Sequence, residues 1–276
     1  MSVPILTYHA NNINGNDYQS NDHVALQADL QLIHRLGWQV ITMNQLMAWH
    51  RGEAEDDAVH QAVVLTCDDG TWFDYYDVDH PFHGPQKGFL TLLQEHRQNT
   101  GQVAHMTNFV IVSPAARTIL DEKCLIGQGW WTDEWWQPAQ QSGLMSIANH
   151  SWDHNHGVLD NQNHNDDSFR CINDRAACDQ QIKQAQNHLQ QLLGEREGGA
   201  YFAYPYGNFS DYLRHEYLPK LGPEIGLQAA FTTVAEAVTR DHDRWELPRF
   251  VCNNDWQHVD QLAALLATIQ RPIGLT

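Results

Sequence analysis

Positive charge is what this chain has least of. Only 16 Lys and Arg stand against 34 Asp and Glu, a formal net charge of −18 over 276 residues. Nucleic acids and acidic membranes are captured by clustered positive charge, so no nucleic-acid binding is expected. Cysteine is sparse as well. Cys67, Cys124, Cys171, Cys178 and Cys252 are odd in number and scattered, with no CxxC pair, which favours reduced thiols over a disulfide framework. No apolar run reaches the length of about 20 residues needed to cross a bilayer, so no integral membrane segment is expected. Met1-Ser2-Val3-Pro4 has neither the basic nor the apolar region of a secretory leader. A cytoplasmic location is therefore the default expectation, although export without a visible leader would look the same. Internal repeats and low-complexity linkers are absent too, so one catalytic domain spanning 1–276 is expected, with its oligomeric state unknown. That length suits an α/β barrel, for which about 250 residues is typical.

What is present alternates. Pro4 to Tyr8 reads as a short buried strand and Asp22 to Leu36 as a helix, with Val24, Leu26, Leu30, Ile33 and Leu36 near helical spacing and Gly37 to end it. Trp38 to Thr42 is strand-like, Asn44 can cap a helix carrying Leu46, Met47 and Trp49, and Ala62 to Thr66 is a second buried run. Beyond a loop rich in Asp and aromatics, Gln86 to Arg97 is helical in pattern. Val103 to Val112 contains a strand, and Ser146 to Ala148 forms another. Asp174 to Leu193 predicts a long polar-faced helix stopped by Gly194. Strands follow at Ala200 to Tyr204, Ala229 to Thr233 and Leu247 to Val251, then a last helix from Val259 to Ile269. Such alternation predicts an α/β protein with a mainly parallel sheet, closed or nearly closed into a barrel, whose site lies at the C-terminal ends of the strands.

Two segments at such ends carry chemistry. Val63-Val64-Leu65-Thr66-Cys67-Asp68-Asp69-Gly70 sets two carboxylates where a buried strand meets a glycine turn. Like charges so close raise one pKa unless a cation neutralises them, which lets one carboxylate be a ligand and the other a base. Asp-Asp-Gly is also ordinary turn material. In Ile147-Ala148-Asn149-His150-Ser151-Trp152-Asp153-His154, two imidazoles stand four apart, a spacing that points both the same way on one helical turn. An isolated pair of this kind is commonly accidental. Together the segments supply two His and one carboxylate, a set that leaves coordination positions open.

These segments resemble the polysaccharide deacetylases of carbohydrate esterase family 4. Thr66-Cys67-Asp68-Asp69-Gly70 is similar to that family's T-F-D-D-G, and His150-Ser151-Trp152-Asp153-His154 to its H-[S/T]-x-x-H. Pro4 to His9, Leu36-Gly37-Trp38, Ala203 to Gly207 and Leu247-Pro248-Arg249 extend the resemblance over most of the chain. It implies a single distorted (β/α)7-type barrel in which Asp68 deprotonates water, Asp69 binds a divalent metal, and His150 and His154 complete the protein ligands. Zinc is the first expectation; nickel, cobalt or iron also suit two imidazoles and a carboxylate. Pro205 and Tyr206 would line the substrate groove, with a backbone N–H near Tyr206 helping to hold the oxyanion.

Three departures from the family pattern shape the rest. Cys67 replaces the usual Phe. The Arg that often opens the Pro-Tyr motif is absent, and Arg249, grouped with Pro205, Tyr206 and Trp131 as a candidate for direct substrate contact, either supplies that positive charge to Asp68 or has a plain surface or helix-dipole role. The late Leu-x-His that usually provides the general acid has no counterpart after Asp255. In the branch resembling poly-N-acetylglucosamine deacetylases an N-terminal Tyr-His takes that role, and Tyr8-His9 fits it, so His9 is the expected acid. His156 and His164 read as solvent-facing loop residues. The Trp130 to Trp136 cluster, Trp131 included, offers either a stacking platform for a sugar or buried anchors for a loop. Phe73 to His80 reads as a loop at the mouth, its Asp residues facing water. The implied reaction is metal-dependent hydrolysis of an amide, N-deacetylation of an N-acetylated saccharide. Two alternatives stay open: a hydrolase of small non-sugar amides or cyclic imides, and a carbohydrate-binding module without catalysis.

Overall fold

The computed structural model describes residues 1–159, 168–194 and 199–269. Its strands are β1 (Ile5–His9), β2 (Gln39–Val40), β3 (Ala62–Asp68), β4 (Val78–His80), β5 (Gly84–Gln86), β6 (Met106–Val110), β7 (Met145–Asn149), β8 (Tyr201–Ala203), β9 (Ala229–Phe231) and β10 (Phe250–Val251). The main sheet runs β10-β1-β3-β6-β7-β8-β9 with β2 also on β3, and β4 and β5 form a separate hairpin. Every pairing in the main sheet is parallel. At the far end of the path Phe231 bridges Leu247, in the stretch leading to β10, where Thr232 and Leu247 N–H donate to the Leu247 and Ala230 carbonyls at 2.8 and 2.9 Å. The sheet thus curls into the distorted barrel expected from the sequence, with helices outside.

Alternation of side chains decides what the barrel encloses. In β3, Val63, Leu65 and Cys67 pack outward with Leu26, Leu30 and Leu93 of the helices. Ala62 and Val64 face inward with Ile5, Phe109, Ala148, Ala203, Phe231 and Leu247. Each buried Leu, Val or Phe here contributes about 1.5–3 kcal/mol, so a register slip is strongly disfavoured. Followed toward the C-terminal ends, the inward register of β1 runs Ile5, Thr7, His9 and that of β3 runs Val64, Thr66, Asp68. Thr7 and Thr66 meet hydroxyl to hydroxyl at 2.9 Å across the interior.

The helices follow their caps. Asn21 caps Asp22–Arg35 through the His23 N–H, and Gly37 (φ 74°) lets the chain turn back. Helix Met43–His50 is capped not by Asn44 but by Thr42, whose side chain and Gln45 form a reciprocal box. Asn44 instead accepts the Tyr201 hydroxyl at 2.5 Å. The long helix after Asp174 is interrupted by a π turn at Asp179–Lys183. Helix Pro114–Cys124 escaped the periodicity reading because its buried apolar side chains are only Ala116 and Leu120; Ser113 at its cap and Pro114 at its first position mark it instead.

The segment Phe73 to His80 also differs from expectation. Phe73 joins the core, and Asp74 is wholly buried, its carboxylate accepting from Thr71 N–H and from Asn108 Nδ2, both at 2.8 Å. Burial pushes this carboxyl up to about 6. It braces the turn after β3 against β6 rather than facing water. Among the described residues no helix is long and apolar enough to cross a membrane.

Candidate active site

Strand β3 ends at Asp68, and the next two residues take the left-handed conformation, Asp69 at φ 79° and Gly70 at φ 77°. A Cβ on Gly70 would lie 2.4 Å from Val110 Cγ1, so only glycine fits. Asp69 is locked in its costly conformation by two donors to its carbonyl, Ile111 N–H at 3.1 Å and Trp131 Nε1 at 3.3 Å. The reversal keeps two consecutive carboxylates at one strand end.

His150 and His154 converge differently from the expected helical turn. Residues 150–155 form an irregular turn in which Ser151 (φ 71°), His154 (φ 62°) and Asn155 (φ 49°) are left-handed. Asn149 Oδ1 accepts from Ser151 N–H and Ser151 Oγ from His154 N–H, both at 2.8 Å. These polar side chains compete with helical hydrogen bonding and win, which is why four-residue spacing here closes a loop. His150 Nδ1 donates to the Ala203 carbonyl at 2.9 Å, since a carbonyl only accepts. That leaves Nε2 with its lone pair toward the carboxylates. His154 Nδ1 is buried without a hydrogen-bond partner among the described residues.

The Nε2 atoms of both rings lie 3.7 Å from Asp69 Oδ1. One ligand atom from each of Asp69, His150 and His154 lies within 4.8 Å of the others. Such spans are too long for hydrogen bonds. They suit atoms about 2.0–2.2 Å from one shared ion, which stand roughly 3–4 Å apart. The electrostatics agree. Burial pushes His150 down despite Asp68 and Asp69 beside it, and takes His154 down to about 3 with His150 adding to the effect. Neutral imidazoles facing a carboxylate make a donor set for a divalent cation.

Asp68 has a different partner. Arg249, wholly buried, gives Nη1 to Oδ1 at 2.7 Å and Nη2 to Oδ2 at 2.8 Å, with Nε on the Thr232 carbonyl at 2.9 Å. Burial alone would raise the Asp68 carboxyl. The guanidinium, helped by His150, outweighs it and holds the group well below the ordinary carboxylate range. Arg249 therefore serves the carboxylate from inside the barrel, which excludes both a surface role and the direct substrate contact expected of it. Asp69 is also held low: burial raises it, and His154, His9 and His150 more than offset that.

One cavity of about 270 Å³ joins these groups. Its walls include His9, Asn11, Asp68, Asp69, His150 and His154, together with Ile111, Cys124, Trp131, His156, Tyr206, Gly207 and Thr233. His9 reaches it from the end of β1, in register with Asp68. Tyr206, at φ 57°, lays its ring against His154 with centroids 4.5 Å apart. Pro205 is buried at the start of that turn and is not in the cavity wall. The Trp cluster divides: Trp131 lines the cavity, Trp135 and Trp136 are wholly buried in the core, and Trp130 stacks on Trp72 at 6.5 Å. His156, read from sequence as facing solvent, lies 5.9 Å ring to ring from His154. His164 lies outside the described residues. Ile111 and Thr233 were legible as continuations of the inward register of β6 and β9. For Asn11, whose Nδ2 donates to Asp69 Oδ2 at 3.0 Å, no sequence pattern pointed to the site.

Comparison with known proteins places this arrangement in context. A family model described as polysaccharide deacetylase matches residues 55–223. No curated protein matches the sequence. Among solved structures, IcaB from Ammonifex degensii is 19 % identical with a TM-score of 0.67, covering 98 % of this chain and 97 % of its own. The Streptococcus pyogenes deacetylase PplD, in complex with acetate, is 16 % identical at TM-score 0.62, covering 96 % and 98 %. A polysaccharide deacetylase from Bacillus cereus is 17 % identical at 0.63, covering 96 % of this chain and 69 % of that one. Likeness at such low identity speaks to the fold.

Proposed function

This chain belongs to the polysaccharide deacetylase family, and on that premise we propose that it is a metal-dependent hydrolase removing the acetyl group from an N-acetylated amino sugar in an oligo- or polysaccharide. The observation that carries the reading is a division of labour between adjacent carboxylates. Asp68 is paired to Arg249, Asp69 faces two neutral imidazoles, and His9 shares their cavity.

A divalent ion held by Asp69, His150 and His154, with zinc the first choice and nickel, cobalt or iron also suited to the donors, would polarise the amide carbonyl and acidify water. Everything else falls to the chain's own groups. Asp68, kept ionised by Arg249, takes the proton of the attacking water. His9, on the neighbouring strand, protonates the departing amine nitrogen. A backbone N–H near Tyr206 would help hold the developing oxyanion, the Gly207 N–H being spent on the Tyr204 carbonyl, while Ile111 and Trp131 supply apolar wall and Pro205 is buried at the start of the turn. The intact set supports catalysis over a binding module without chemistry.

The test is acetate release from N-acetylglucosamine oligomers by protein stripped of metal and then reloaded with zinc, cobalt or nickel. Release that depends on reloading is expected. Tight oligomer binding with no acetate from any loaded form would sink the proposal, and turnover confined to cyclic imides would move it to small amides.

A further inference from the structure

Strand β1 delivers more than His9 to the site. Directly after it, Asp22 clamps the chain: Oδ2 accepts from His9 N–H at 2.8 Å, and Oδ1 from Asn12 Nδ2 at 2.6 Å and Asn253 Nδ2 at 2.7 Å. Asp22 is itself buried. The loop that follows is stitched by asparagines. Asn14 donates to Asn12 Oδ1, and Asn21 to the Gly15 carbonyl and to Gln86.

The Asn11 side chain, unlike those of Asn12, Asn14 and Asn21, takes no part in the stitching; only its backbone carbonyl does, accepting from Ile13 N–H at 3.0 Å. Its amide nitrogen donates to Asp69 Oδ2, across 58 residues of sequence, and its Oδ1 is buried with no hydrogen-bond partner among the described residues. The loop therefore does not set this amide; the carboxylate does. The two oxygens of Asp69 are thereby made unequal. Oδ2 is occupied by Asn11, while Oδ1 is the atom 3.7 Å from both His Nε2 atoms. A neutral donor suits the task. It consumes one oxygen's lone pair without adding a cation that would compete for the carboxylate charge, as Lys or Arg would.

We infer that Asn11 is a positioning residue that holds Asp69 so that a single oxygen, Oδ1, is presented to the ion. The inference rests on the metal-site reading above. Outer partners of this kind change metal affinity by about 10–100-fold when removed.

The experiment titrates cobalt(II) into the 276-residue chain stripped of metal, by calorimetry and by visible absorption, for the wild type, Asn11→Ala, Asn11→Ser and Asn14→Ala. Asn11→Ala is expected to bind cobalt roughly 10–100-fold more weakly and with an altered visible spectrum, because Asp69 is free to turn or to use both oxygens. Asn11→Ser, whose hydroxyl is too short to span the gap, moves in the same direction and serves if the alanine variant fails to fold. Asn14→Ala, which touches only the loop, keeps wild-type affinity and spectrum. Affinity within twofold of wild type and an unchanged spectrum in a folded Asn11 variant overturn the positioning role and leave the metal site standing. Absence of cobalt binding in the wild type overturns both.

Discussion

Replacing Arg249 by Met is the sharpest test of how the barrel interior prepares Asp68. Arg249 is wholly buried and bonds both oxygens of Asp68, at 2.7 and 2.8 Å. Removing one partner of a buried pair while the other stays charged costs about 3–5 kcal/mol. Asp68 escapes that cost by taking a proton. At 1.36 kcal/mol per pKa unit, the carboxyl should rise by about 2–4 units. The sign follows from the depressed value in the intact pair. A carboxyl whose folded pKa lies below its unfolded one adds stability above the unfolded value of about 4, and loses it as pH falls through the folded pKa. Arg249→Met therefore lowers stability most at neutral pH and least in strong acid, and moves the acid limb of kcat/KM upward by the same about 2–4 units. Arg249→Lys, keeping charge without the planar fork, falls between. The assay is kcat/KM for acetate release against pH on the loaded enzyme, with urea unfolding at neutral and acid pH. An Arg249→Met protein with the wild-type acid limb and a uniform stability loss at every pH would refute the reasoning.

Other substitutions separate the remaining roles. Asp68→Asn is expected to bind cobalt as the wild type does while kcat falls by about 10²–10⁴, measured by calorimetry and acetate release; near-normal turnover would remove Asp68 as the base. His9→Gln should lower kcat by a similar factor on a sugar amide, but by much less on a substrate whose amine leaves unprotonated; an equal loss on both denies His9 the acid role. Gly70→Ala meets both a left-handed φ of 77° and Val110 Cγ1 at 2.4 Å from the added carbon. Roughly 2–5 kcal/mol of destabilisation is expected by urea unfolding, and a loss under 1 kcal/mol would mean the turn is not strained as described.

How far the sequence carries this protein can be judged from particular residues. Short continuous apolar runs placed most barrel strands within a few residues, because a parallel strand buried on both faces must be apolar along its length and that is a local property of the sequence. Val63 to Asp68 and Ile147 to His154 told where the carboxylates and imidazoles stand, since a strand end and a turn are encoded by neighbours in sequence. Side chains held by polar contacts rather than by periodicity were misread. Asp74 was assigned to water and is buried on Asn108, and the His150–His154 turn was expected to be helical but is folded by Ser151 and Asn149. Caps and the sparsely apolar helix Pro114–Cys124 were lost for the same reason.

The sequence by itself determined the curled α/β sheet and the residue types at its open end, because both follow from local pattern. Which groups act on which was decided only in three dimensions. Arg249 reaches Asp68 across 181 residues, and Asn11 reaches Asp69 across 58, through the parallel order in which β1 lies between β3 and β10. Barrel closure, not spacing along the chain, buries one carboxylate on a guanidinium and turns its neighbour toward two imidazoles.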